Sequence, residues 1–141
     1  MTKPATESAP PAMLDLAEFD LQSEAERGAA MPVANPRTGE KTGATLQVYG
    51  ADARAYRVAL RRIRDAAARE MEREPTDEDD ALILGRARSA AAAITGWSGI
   101  ALKGEPVDYS PEAAVEVLKA YPWLADQVLA YTANRGNFGK V

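Results

Sequence analysis

Thr95-Gly96-Trp97-Ser98-Gly99-Ile100 and Gly104-Glu105-Pro106-Val107-Asp108-Tyr109-Ser110-Pro111-Glu112 decide the fold of this chain, because helix grammar is interrupted there and then resumes. Gly96 suits the cap of a helix that ends near Thr95. Trp97 to Tyr109 then reads as a short hairpin or loop turning near Lys103-Gly104-Glu105. Ser110-Pro111-Glu112 opens a helix: serine caps, proline fits the first helical position, and glutamate faces the positive end of the dipole. That helix reaches about Ala120. Pro122 opens the next, with Leu124, Val128 and Tyr131 on one face, and Asn134-Arg135-Gly136 stops it.

Both tryptophans, three of five tyrosines and one of two phenylalanines lie between Thr95 and Phe138. Large aromatics carry the most contact area per residue, so this block is the place for a packed or partner-binding surface. Trp97, Tyr121, Trp123, Arg135 and Phe138 are its candidates, with Phe19 as an outlier near the N-terminus. Core packing is nevertheless the expectation for both tryptophans, which should anchor the C-terminal half. Phe138 follows a glycine break close to the chain end and is expected to serve a partner more than stability.

Working towards the N-terminus, Ile83, Ala87, Ala90 and Ile94 make an apolar stripe on a helix from about Asp77 to Thr95. Gly85 within it suggests a close contact, and Thr76 is placed to cap it. The carboxylates Asp77, Glu78, Asp79 and Asp80 lack the glycine turn and ligand spacing of a calcium loop, and suit a helix start. A longer helix, about Ala53 to Arg73, carries Tyr56, Leu60, Ile63, Ala67 and Met71 on one face. Arg54, Arg57, Arg61 and Arg64 line another, which reads as a solvated face pairing with nearby acids such as Asp65, Glu70 and Glu72 rather than as a phosphate strip. Asp52 is the expected cap of this helix, and Glu74-Pro75 ends it.

Residues 31–50 alternate as a β-hairpin turning at Asn35-Pro36-Arg37-Thr38-Gly39, with Gly43 at a bulge or strand start. Asp20 or Ser23 starts a short helix that ends at Gly28, beside an apolar patch of Leu14, Leu16, Phe19 and Leu21. The expected architecture is α+β and mainly α: a small helical domain with one N-terminal β-hairpin and a short second hairpin. Residues 14–134 form the single domain. Proline-rich residues 1–13 make a flexible tail, and residues 135–141 a C-terminal tail.

Composition narrows the chemistry. The 141 residues include no cysteine and no histidine, which removes disulfides, thiolate nucleophiles, the usual zinc sites and histidine acid–base catalysis. Ser110 is explained by capping, Lys103 and Lys119 stand alone, Tyr109 and Tyr121 lack a base, and no glycine-rich phosphate cradle occurs. The expectation is no enzyme, no cofactor and no metal. A net charge of −4 speaks against nucleic acid as a general partner, since phosphate contacts need a cationic surface. No apolar run is long enough to span a bilayer, so no membrane partner is expected.

The Thr-Gly-Trp helix end, the Ser-Pro-Glu start, Pro122-Trp123-Leu124 and the closing Asn134-Arg135-Gly136-Asn137-Phe138 together resemble small tail assembly chaperones of tailed bacteriophages. Asn35-Pro36-Arg37-Thr38-Gly39-Glu40, Val48-Tyr49-Gly50-Ala51-Asp52 and Ala55-Tyr56-Arg57 extend the resemblance, which covers about residues 19–138. It implies a non-catalytic protein of the host cytoplasm that binds tape measure protein, tail tube protein or both, and leaves before the virion is complete. Self-association into a homo-oligomer is compatible with it. Two other functions fit the same residues: a structural protein kept in the tail or head–tail junction, and a small inhibitor of a host factor.

Overall fold

The computed structural model describes residues 12–69 and 73–139. The expectation for residues 1–13 falls almost wholly outside them, as do Glu70, Met71 and Glu72. A 3₁₀ turn at Leu16–Glu18 precedes α1 (Leu21–Arg27), which Asp20 caps and Gly28 ends. Strands β1 (Ala29–Ala34) and β2 (Lys41–Val48) form the expected hairpin. Its tip is held by the Asn35 carboxamide oxygen, which accepts from the N–H groups of Arg37 and Thr38. Gly43 adopts φ +93° where the β1–β2 register slips between Pro32 and Ala34, so the bulge is real.

Two long helices follow, α2 (Arg54–Arg69) and α3 (Glu78–Ala93). Neither uses the expected cap. The first turn of α2 is capped by Glu26 of α1, whose carboxylate accepts from the N–H of Arg54 at 2.8 Å and of Ala55 at 3.3 Å. Asp52 is turned away towards Arg135. Asp77, not Thr76, caps α3, accepting from the Asp80 N–H. Gly85 is exposed and faces open space, so no close contact explains it.

The largest departure comes at Ile94. α3 stops at Ala93, and Ile94–Ser98 forms β3, which joins β2 antiparallel with Leu46 opposite Trp97. The sheet order is β1-β2-β3, and Gly96 is a strand residue, not a helix cap. A separate small hairpin, β4 (Ala101–Leu102) and β5 (Glu105–Pro106), turns through Lys103-Gly104 as expected. Helices α4 (Pro111–Ala120) and α5 (Pro122–Ala133) begin at the two prolines, and Ser110 caps α4 through the Ala113 N–H. The architecture is small α+β, mainly α.

One face of the sheet supplies Met31, Val33, Ala44, Leu46, Val48 and Ile94 to the core. Opposite them lie Ala87, Ala90, Ala91 and Ala93 of α3, Ala114 and Leu118 of α4, and Leu124, Ala125 and Val128 of α5. Alanines let α3 approach both its neighbours closely, and leucine and valine fill the remaining volume. α5 also closes the bulged end of β1: the Gln127 side-chain amide donates to the Ala34 carbonyl and accepts from the Ala34 N–H. Outside this two-layer body, α2 packs mainly along α3, and Ala67 is its one buried residue among those described.

Candidate functional site

Helix α2 has to serve two media. Its apolar positions recur every three or four residues, yet among the described residues α3 is its principal neighbour, with α1 a lesser one. The uncovered part, facing α3 and α4, leaves an open groove of about 910 Å³. Ile63, Ala66 and Ala67 of α2, Ile83 and Leu84 of α3 and Val115 of α4 provide an apolar surface, with Pro75 and Pro111 also lining the groove. Arg62, Arg69 and Arg73 stand on the α2 side. Glu112, Glu116 and Lys119 stand on the α4 side, with Asp80 at the start of α3.

Local pairs fix part of this rim. Arg88 meets Glu74 in a two-pronged contact of 3.0 and 3.1 Å, and its guanidinium holds the Glu74 carboxyl below the usual range. Lys119 lies 3.6 Å from Glu116 one turn earlier. Arg62, Arg69 and Arg73 form no ion pair among the described residues, and they share the groove with the acids Asp80, Glu112 and Glu116. The expected arginine face is exposed at Arg54, Arg57, Arg61 and Arg64. Its expected pairing with Asp65 does not form; Arg57 instead donates to the Asp52 carbonyl at 3.4 Å. An apolar surface with charged edges suits an amphipathic helix or extended segment, the usual chemistry of helix-in-groove recognition.

The six residues singled out from sequence are not gathered into one site. Phe19 is open to solvent beside the N-terminal 3₁₀ turn. Trp97 is half-buried, donates its indole N–H to the Val107 carbonyl at 2.8 Å, and meets Tyr109 edge-on with centroids 5.2 Å apart. The Tyr109 hydroxyl donates to the Ile94 carbonyl, and burial raises its pKa. Tyr121 and Trp123 are 40% and 38% exposed at the α4–α5 junction, so Trp123 is a surface residue and not the core anchor expected.

Arg135 and Phe138 need a firmer correction. Arg135 is locked to Asp52 by bonds of 2.7 and 3.0 Å. Phe138 is 4% exposed, meets Tyr131 edge-on and belongs to the core, so residues 135–138 are part of the folded body and no free tail. The groove was the feature sequence reasoning passed over. Its signal was present as Ile63, Ala67 and Ile83, but periodicity marks an apolar face without saying whether a neighbour covers it.

No described helix is long and apolar enough to cross a membrane. No curated protein and no solved structure matches the chain. A protein-family comparison does: residues 51–140 match the YdaY prophage protein family, and the chain belongs to that phage-related family. The matched span holds α2 to α5 and the whole groove, while α1, β1 and β2 lie before it.

Proposed function

We propose that this member of a prophage family is a non-catalytic tail assembly chaperone, holding a segment of tape measure or tail tube protein in the α2–α3–α4 groove. The observation that carries the reading is the groove itself, an apolar surface open to solvent within the span shared with the family. Its dimensions and charged edges suit an amphipathic helix, the kind of surface an unassembled tail protein must hide from water. The sequence resemblance to tail assembly chaperones supports the same partner class. The chaperone would act in the host cytoplasm, where its net charge of −4 favours solubility of the complexes.

Co-expression with the tape measure and tail tube proteins of the same prophage tests this. The tagged chain should capture at least one of them. Leu84→Asp and Val115→Asp place charge on the half-buried groove surface, and should lower capture about tenfold or more while the helical signal persists. Capture of neither protein by the unsubstituted chain overturns the reading. Purified virions should lack the chain by mass spectrometry; its presence in fixed stoichiometry would assign it to the tail structure instead.

A further inference from the structure

We propose that residues 13–20 of one copy seat in the α2–α3–α4 groove of a second copy. Met13, Leu14, Leu16 and Phe19 are 86%, 70%, 72% and 56% exposed, a concentration of apolar side chains in solvent within seven residues. The segment is nevertheless shaped. The Asp15 carboxylate accepts from the Ala17 N–H, and that of Asp20 accepts from the Ser23 N–H. A segment already turned loses less entropy on docking.

Charge selects the surface. Asp15, Glu18 and Asp20 alternate with the apolar residues, and no lysine or arginine occurs between Met13 and Glu26. The groove offers a matching apolar surface whose lining carries five cations, Arg62, Arg69, Arg73, Arg88 and Lys119, against the three acids Asp80, Glu112 and Glu116, and Arg62, Arg69 and Arg73 form no ion pair among the described residues. Geometry makes a second copy the occupant. Glu26 ties the end of α1 to the first turn of α2, whereas Arg69 lies about 22 Å further along that helix at 1.5 Å per residue. Within one molecule the segment and the groove are both open. Segment and groove are different surfaces, so the contact is head-to-tail and builds rings or chains rather than a two-fold dimer.

Sedimentation velocity of the full chain, without any phage partner, tests the proposal. The sedimentation coefficient should rise from micromolar towards millimolar protein and fall with added salt. Leu16→Asp with Phe19→Asp should hold the chain monomeric without changing its melting, since both side chains are exposed. Arg69→Glu should weaken association about tenfold, and Glu18→Arg in the same chain should restore much of it. A wild type that stays monomeric overturns the proposal, as does association that ignores either set of substitutions. The chaperone reading stands or falls separately, because capture of a tail protein and absence from purified virions test it.

Discussion

Phe138 shows how a residue is placed by contacts its neighbours in sequence do not reveal. The Asn134 side chain accepts from the Gly136 N–H, Asn137 donates to the Tyr131 carbonyl, and Arg135 reaches Asp52. Together these turn the chain back and press the ring against Gly50. A β-carbon on Gly50 would lie 3.1 Å from the Phe138 ring and 2.8 Å from Ala25 Cβ, so glycine is required there for space. Phe138→Ala should cost about 3–5 kcal/mol, through lost transfer energy and the cavity left behind, and lower melting by roughly 10 °C or more. A denaturation midpoint like that of the wild type would refute the burial. Asp52 adds a pH dependence. The hydrogen bond from Arg135 lowers its pKa, so its contribution is present at neutral pH and is lost as pH falls below the ordinary aspartate value of about 4. Asp52→Asn should flatten the fall of melting temperature between about pH 5 and pH 2, by no more than a few degrees because both partners reach solvent. Sequence placed Phe138 and Arg135 among the important residues. It missed their role, since the partners at Gly50 and Asp52 lie more than eighty residues away.

At the scale of elements, the legible ones carry their own boundaries. Ser110, Pro111 and Pro122 fix the starts of α4 and α5 by local chemistry alone, and both helices begin where those residues place them. β3 was not legible in this way. Ile94 and Thr95 follow an alanine run with strong helix propensity, and only pairing with β2, almost fifty residues earlier, draws them into a strand. The α2 cap was hidden for the same reason, because Glu26 sits on another helix. Gln127 makes the dependence of one element on another testable. Its amide supplies both hydrogen bonds that Ala34 lacks at the bulged end of β1. Gln127→Leu should cost about 1–3 kcal/mol by leaving half-buried backbone groups unpaired. Amide exchange at Ala34 should accelerate while that at Leu46 stays slow; equal protection in both variants would mean that the amide contributes nothing.

For the whole molecule, a single core is shared by the sheet and by α3, α4 and α5, which predicts one cooperative transition. Tryptophan fluorescence, dominated by Trp97 on β3 and Trp123 on α5, and the far-ultraviolet helical signal should give coincident urea curves; two separated midpoints would divide the molecule into independent parts. Below that global transition, the helices are not equally secured. α3 is enclosed on several sides, whereas α2 leans on one principal neighbour and is clipped at its start by Glu26. Amides of α2 should therefore exchange through smaller openings than those of Ala90 to Ala93. One wall of the groove thus has an occupancy of its own. Whatever binds there meets a competent site only while α2 is seated, and its apparent affinity is scaled by that fraction. Glu26→Ala, at the far end of α2 from Arg69, should then weaken groove binding without altering any groove residue, making a single carboxylate on α1 a remote gain control for the site.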